Sequence, residues 1–277
     1  EQIVAKVLSN GEEKEIRSKL IIGADGAGSR VARSLGLKGE FRDEDAHYCA
    51  QYFLFHPEIK GESAMFFTGN KFAPGGYGWV FPKGDKVANV GVGVVGERSR
   101  AREFLDTLVT HYLPGAKVIG FIRGVVPTGG HRVEMVDDGV MLVGDAARLA
   151  EPLSGAGIAS AMVSGDLAGH VGGEALKRGL RDRESLAAYP RIYWRGRKKE
   201  YEFSYHVRNA LMKFTDQDFD FIINEIKPGF HKKDLEEISP FYIARKVFSS
   251  RRVLNLLLKV GKDAVGKYIR EIVFTKG

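Results

Sequence analysis

The chain opens on an apolar, β-branched stretch, Ile3 to Leu8, followed by the tight-turn dipeptide Asn10-Gly11. Glu15 to Lys19 can pair back, so a hairpin is predicted. Leu20-Ile21-Ile22-Gly23-Ala24 is a short continuous apolar run, the pattern of a strand buried on both faces. It runs into Asp25-Gly26-Ala27-Gly28-Ser29 and then a helical stretch from Arg30 to Leu35.

His47 to Phe55, Ser63 to Thr68, Tyr77 to Phe81 and Lys86 to Val95 read as strands. Pro57, Gly69-Asn70, Pro74-Gly75-Gly76 and Lys83-Gly84-Asp85 separate them. Close spacing with no helix between them predicts an antiparallel sheet. Arg100 to Tyr112 has helical amphipathicity, and Lys117 to Val126 is a further strand. The buried-strand pattern returns at Val140-Met141-Leu142-Val143, and a helix of small residues covers about Ala156 to Val171. From Glu184 onward the chain reads as helical and polar, with Pro190 and Pro228 as breakers.

Length and composition narrow the class. The 277 residues suffice for one large domain or two smaller ones. A single cysteine excludes a disulfide framework and a cysteine-only metal cluster, and it fits a reducing cytoplasm. No apolar run is long enough for a transmembrane helix. Glu1 to Lys6 lacks the pattern of a signal peptide, and the absence of an initial Met suggests a fragment.

The net charge of +7 invites a nucleic-acid reading, but its location argues otherwise. Nine Lys/Arg lie in Pro240 to Gly277 against Asp263 and Glu271, which equals the whole excess. The body is neutral, and no nucleic acid is expected. Val253, Leu256, Leu257, Val260, Ala264, Tyr268 and Ile272 can share one helical face in this basic segment. It suits an anionic membrane surface or a helix pair packed on the body, two readings of equal weight.

Two stretches carry candidate chemistry. In Val140 to Ala161 an apolar strand delivers Gly144-Asp145, followed by Pro152, Gly155-x-Gly157-Ile158 and a helix. Asp145 at the carboxyl end of a strand can accept hydrogen bonds from ribityl or ribose hydroxyls. Gly155 and Gly157 let backbone N–H groups approach a ligand at a helix N-terminus. Around Asp25-Gly26 a second strand again delivers an Asp-Gly turn, although Asp25 or Ser29 as a plain helix cap is equally in keeping.

Together these stretches resemble the second and third flavin motifs of the para-hydroxybenzoate hydroxylase type of flavoprotein. That resemblance implies FAD as cofactor, held by Asp25, Gly26, Gly144, Asp145, Pro152, Gly155, Gly157 and Ile158. Pro74-Gly75-Gly76-Tyr77-Gly78-Trp79-Val80-Phe81-Pro82-Lys83 resembles the Tyr-x-Trp-x-Phe-Pro motif of geranylgeranyl reductases, especially archaeal ones. Tyr77, Trp79 and Phe81 alternate, so on a strand they share one face, a wall for a flat flavin and a long apolar chain. The bland alternative is an aromatic core face. Gly91-x-Gly93-x-x-Gly96 has the letters of a dinucleotide motif but lies in a β-like run, a coincidence of spacing. The family's opening Gly-x-Gly-x-x-Gly unit, about a hundred residues with its linkers, is absent.

The expected fold is α/β (α+β). A FAD-binding domain, residues 1–40 and 125–172, is interleaved with an antiparallel-sheet substrate domain, 41–124. A helical C-terminal region follows, 173–277, and the N-terminal βαβ unit is missing. The resemblance implies flavin-dependent reduction of carbon–carbon double bonds in geranylgeranyl chains, with archaeal ether phospholipid precursors as substrate. It implies an electron donor, whether NAD(P)H, ferredoxin or deazaflavin, and a cytoplasmic enzyme that meets a membrane lipid. A FAD-dependent monooxygenase or halogenase of a smaller substrate, and a non-catalytic membrane-binding fragment, are the alternatives. No catalytic acid is legible and no metal site is expected. His47, His56 and His131 read as surface or satisfied core histidines, Cys49 as a small buried hydrophobe, Asp137-Asp138 as a turn and Asp106 as solvated.

Overall fold

The structure is a computed structural model that describes residues 2–34, 36, 42–61, 63–96, 100–129, 133–226 and 255. In chain order the elements are β1 (Ile3–Ser9), β2 (Glu12–Ser18), β3 (Ile21–Gly23), α1 (Arg30–Ser34), β4 (Ala46–Phe55), β5 (Met65–Phe67), β6 (Tyr77–Gly84) and β7 (Val87–Val95). They continue as α2 (Ala101–Tyr112), β8 (Lys117–Pro127), β9 (Val136–Asp137), β10 (Val140–Leu142), α3 (Ile158–Lys177), α4 (Arg183–Leu186), α5 (Ala188–Trp194), α6 (Lys198–Leu211) and α7 (Asp216–Ile226). By contact the described residues up to 36 and from 127 to 201 form one unit, and those from 42 to 126 and from 202 to 226 form the other. The helices after residue 172 thus divide between two units, where the sequence suggested one helical region.

In the first unit β1 and β2 form the predicted hairpin, with Ile3 opposite Ser18 and Ser9 opposite Glu12. Asn10 (φ 54°) and Gly11 (φ 84°) supply the two left-handed residues that such a turn requires. β3 lies parallel to β10, and β9 pairs antiparallel with the other side of β10. α3 packs closely on this pair. A Cβ at Gly172 would stand 2.6 Å from Leu20 Cδ2 and 3.1 Å from Met141 Sδ, so only glycine allows that approach. Met141, Leu142, Leu149, Leu186 and Tyr189 fill the core, and the buried Tyr189 hydroxyl donates to the Leu142 carbonyl at 2.8 Å. The expected helix start at Ala156 shifts to Ile158, and the helix runs on to Lys177.

The second unit is built on a five-stranded sheet in the order β5-β6-β7-β4-β8. Its β4–β7, β6–β7 and β5–β6 pairs are antiparallel, as the close spacing predicts. One face carries Ala50, Leu54, Val80, Val90, Val92 and Val94, all buried in one cluster with Leu105 and Leu108 of α2. The expected strand over 63–68 shrinks to β5. Gly91 and Gly93 lie inside β7, so the dinucleotide-like spacing is indeed an antiparallel strand.

Several polar side chains depart from expectation. Asp106 is exposed but not merely solvated. Its Oδ1 accepts from the Tyr52 hydroxyl at 2.6 Å, and Arg102 Nε donates to the same hydroxyl at 3.2 Å. His47 is neither a surface nor a satisfied histidine: it is buried, and its Nε2 has no hydrogen-bond partner among the described residues. His56 is a satisfied core histidine, its ring nitrogens within 3.1 Å of the Pro114 carbonyl and 3.3 Å of the Glu58 N–H. His131 and the basic segment's apolar face lie outside the described residues. Cys49 is free, and burial pushes its thiol up to about 11, the behaviour of a small inert hydrophobe. No helix among the described residues is long and apolar enough to cross a membrane.

Candidate functional site

In the first unit, both parallel strands end at the predicted motifs. β3 leads into Asp25, which is fully engaged in capping. Its Oδ1 accepts from Ser29 Oγ at 2.6 Å, and its Oδ2 accepts from the N–H groups of Arg30 and Val31 at 2.7 and 3.1 Å. Partial burial pushes the Asp25 carboxyl up, but these donors outweigh it and hold it below the ordinary carboxylate value. Gly26 (φ 80°) is open, with nothing within 4 Å of where a Cβ would lie.

β10 leads into a short 3₁₀ turn, Gly144–Ala147. Gly144 (φ 53°) turns the chain, and its N–H donates to the buried Ser164 Oγ at 3.0 Å. Asp145 differs from Asp25. It is half-buried, no hydrogen bond to its carboxylate is found among the described residues, and burial alone pushes its pKa up. Gly157 stands against it: a Cβ there would lie 3.3 Å from Asp145 Oδ1.

Between them runs the turn from Glu151 to Gly157. Glu151 N–H donates to the Ala156 carbonyl and Gly155 N–H to the Glu151 carbonyl, both at 2.8 Å. Pro152 is buried, and Gly155 takes a left-handed φ of 71°. Sequence reasoning passes over Glu151. Its Oε2 accepts from Leu153 N, Ser154 N and Ser154 Oγ at 2.6–3.1 Å, while its buried Oε1 has no partner among the described residues. An acid directly before Pro152 at the head of a glycine-rich turn was the available signal. Among the described residues no side-chain hydrogen bond caps α3 at Gly157, and Ile158 beside it is 81% exposed.

These features fit a flavin dinucleotide. A half-buried carboxylate without donors suits ribityl hydroxyls, and an uncapped helix start suits negative charge. Asp145, Gly155, Gly157 and Ile158 come together here with Gly144 and Pro152. Asp25 and Gly26 lie at the end of the neighbouring strand.

In the second unit, the sheet face opposite the core carries the aromatic row. The register aligns Tyr77 with Gly93 and Cys49, Trp79 with Gly91 and Gln51, and Phe81 with Asn89 and Phe53. Tyr77, Trp79 and Phe81 share one side, as their alternation predicts. Trp79 and Phe81 stack with ring planes 21° apart and centroids 6.1 Å apart. Phe66 of β5, 62% exposed, touches both Tyr77 and Phe81. Sequence reasoning missed Gln51, whose Oε1 accepts from the Trp79 indole N–H at 3.0 Å.

Comparison with known proteins agrees with both halves. The FAD-binding domain model matches residues 1–76, and the geranylgeranyl reductase catalytic domain model matches residues 45–126. Digeranylgeranylglycerophospholipid reductase 2 of Methanococcoides burtonii is 36% identical over 264 residues, covering 94% of this chain and 64% of that protein. The digeranylgeranylglycerophospholipid reductase of Methanosarcina acetivorans is 34% identical over 273 residues, covering 96% and 66%. The chain therefore spans just under two thirds of the length of these curated relatives. The crystal structure of a geranylgeranyl bacteriochlorophyll reductase-like protein from Thermoplasma acidophilum superposes with a TM-score of 0.80 at 27% identity, covering 95% of this chain and 64% of that one. The flavin-dependent halogenase CmlS shares the fold, with a TM-score of 0.59 at 17% identity, covering 94% of this chain and 48% of that one. With the Tyr-x-Trp-x-Phe-Pro strand inside one matched region and the β3 Asp-Gly turn inside the other, the chain belongs to the geranylgeranyl reductase family.

Proposed function

We propose that this chain carries the flavin-dependent reduction of carbon–carbon double bonds in geranylgeranyl chains of isoprenoid lipids, with archaeal ether phospholipid precursors as substrate. The observation that carries the reading is the open aromatic face of β6, where Tyr77, Trp79 and Phe81 with Phe66 offer an apolar wall. An isolated alkene has no carbonyl to polarise, so its binding depends on apolar contact and its orientation on shape. The names of the relatives support the same substrate class.

FAD, when bound, supplies the hydride for such a reduction. Asp145 holds its hydroxyls, and Gly155 and Gly157 keep the turn thin enough for backbone N–H groups to meet negative charge. Tyr77, Trp79 and Phe81 bind the prenyl chain and exclude water from it. A reductant from solution completes the cycle, and a lipid substrate gives the protein reason to work at a membrane surface.

The test is product analysis. Under anaerobic conditions with FAD and dithionite, a geranylgeranyl-bearing glycerol ether should gain two hydrogens per double bond reduced. No hydrogenation under these conditions, with hydroxylation or halogenation appearing once oxygen is admitted, would overturn the reading.

A further inference from the structure

We propose that Gln51 is a positioning residue for Trp79. It holds the indole flat across β7, so that the outer face of the ring becomes a floor against which a prenyl chain lies. The proposal rests on the reading of this sheet face as the chain-binding wall.

The geometry begins with register. Trp79, Gly91 and Gln51 form one row across β6, β7 and β4, on the face opposite the core. Phe66 stands opposite Trp79 on the other neighbour, β5, where it contacts Tyr77 and Phe81 at centroid distances of 5.7 and 5.5 Å. That side is filled, so the indole lies the other way, over β7. There the chain has no side chain to meet it. A Cβ at Gly91 would stand 2.3 Å from Trp79 Cζ2 and 2.5 Å from Cε2, and one at Gly93 would stand 3.8 Å from Cζ3. Glycine at position 91 is what lets the ring lie down.

Lying flat carries the indole N–H to the third strand. Two strand spacings come to about 9.6 Å, within reach of an indole meeting a glutamine side chain. The Trp79 Nε1–H donates to Gln51 Oε1 at 3.0 Å. An indole N–H left unpaired on an apolar face carries a desolvation penalty. A neutral amide satisfies it without placing a charge beside the wall. Gln51 therefore selects the flat rotamer over one that swings the ring out, and the swung-out ring would occupy the space of the chain.

The experiment uses the full chain carrying Trp194→Phe, which leaves Trp79 as its one tryptophan. Emission wavelength and acrylamide quenching read the setting of the indole, and titration with geranylgeraniol reads the wall. Gln51→Leu should shift emission to the red, increase quenching and weaken geranylgeraniol roughly tenfold, the worth of one hydrogen bond. Gln51→Glu keeps an acceptor at the same reach and should return emission and quenching close to the parent, while its charge beside the apolar wall still weakens geranylgeraniol. Far-UV circular dichroism confirms that each variant is folded. Unchanged emission and affinity in Gln51→Leu would overturn the proposal, as would a Gln51→Glu variant whose emission and quenching shift as far as those of Gln51→Leu. If the parent fails to bind geranylgeraniol while Gln51→Leu still shifts emission, the latch holds. The reading of the face as a prenyl wall, and the floor assigned to the ring, then fall.

Discussion

Gly157 keeps open the space beside Asp145: a Cβ on Gly157 would lie 3.3 Å from the Asp145 Oδ1, and that carboxylate has no hydrogen bond among the described residues. Burial raises its pKa, so at neutral pH the ionised group detracts from stability. The proposed flavin role would account for its being kept. Asp145→Ala should leave the thermal midpoint unchanged or higher while lowering FAD affinity at least tenfold, the scale of lost hydrogen bonds to a charged group. Flavin fluorescence titration beside a melting curve checks this. Falling stability with unchanged flavin affinity would make Asp145 a structural residue.

Asp25 separates capping from ligand binding in the opposite direction. Its two oxygens accept from Ser29 and from the first N–H groups of α1. Asp25→Ala should lower stability by about 1 kcal/mol, and Asp25→Asn, which keeps an acceptor at the same reach, should recover part of it. Equilibrium urea unfolding of the three proteins measures the difference.

Trp79 stands on the open face, not in the core. Trp79→Ala should abolish most geranylgeraniol binding while far-UV circular dichroism and flavin content stay close to the parent. Equal loss of fold and of binding would mark Trp79 as a packing residue.

His47 gives the second unit a pH dependence. Burial first, then the neighbouring Arg208 charge, lower its pKa from 6.5 to about 4, with Asp45 opposing. The folded state therefore holds a neutral imidazole where the unfolded chain binds a proton. Stability is full above pH 6.5 and is lost as pH falls through the folded value, by roughly 3 kcal/mol near pH 4. His47→Gln should flatten the stability profile between pH 6.5 and 4, measured by urea unfolding at each pH.

What the sequence reveals depends on how far apart the partners lie in the chain. The Asn10-Gly11 turn, the strands and the shared face of Tyr77, Trp79 and Phe81 follow from local pattern, because side chains alternate along any strand. The Gly144-Asp145 and Gly155-x-Gly157 spacing carries the proposed flavin site for a similar reason: one strand and one turn build it. Gln51 is different. Its role depends on a register joining residues 28 positions apart, and no local pattern sets that register. Gly91 reads as strand glycine until Trp79 is laid on it. Asp106 reads as solvated until α2 brings it to Tyr52, 54 residues away. The His47 nitrogen without a partner among the described residues emerges only once the chain is folded around it.

The central claim is that this chain hydrogenates geranylgeranyl groups by way of a bound flavin. Its most direct test uses the chain with any flanking sequence its gene encodes, incubated anaerobically with FAD, dithionite and a digeranylgeranyl glycerol ether. Mass spectrometry of the lipid should show successive gains of two hydrogens that require the flavin and disappear in Trp79→Ala. A lipid of unchanged mass, with flavin bound and reduced, would contradict the account.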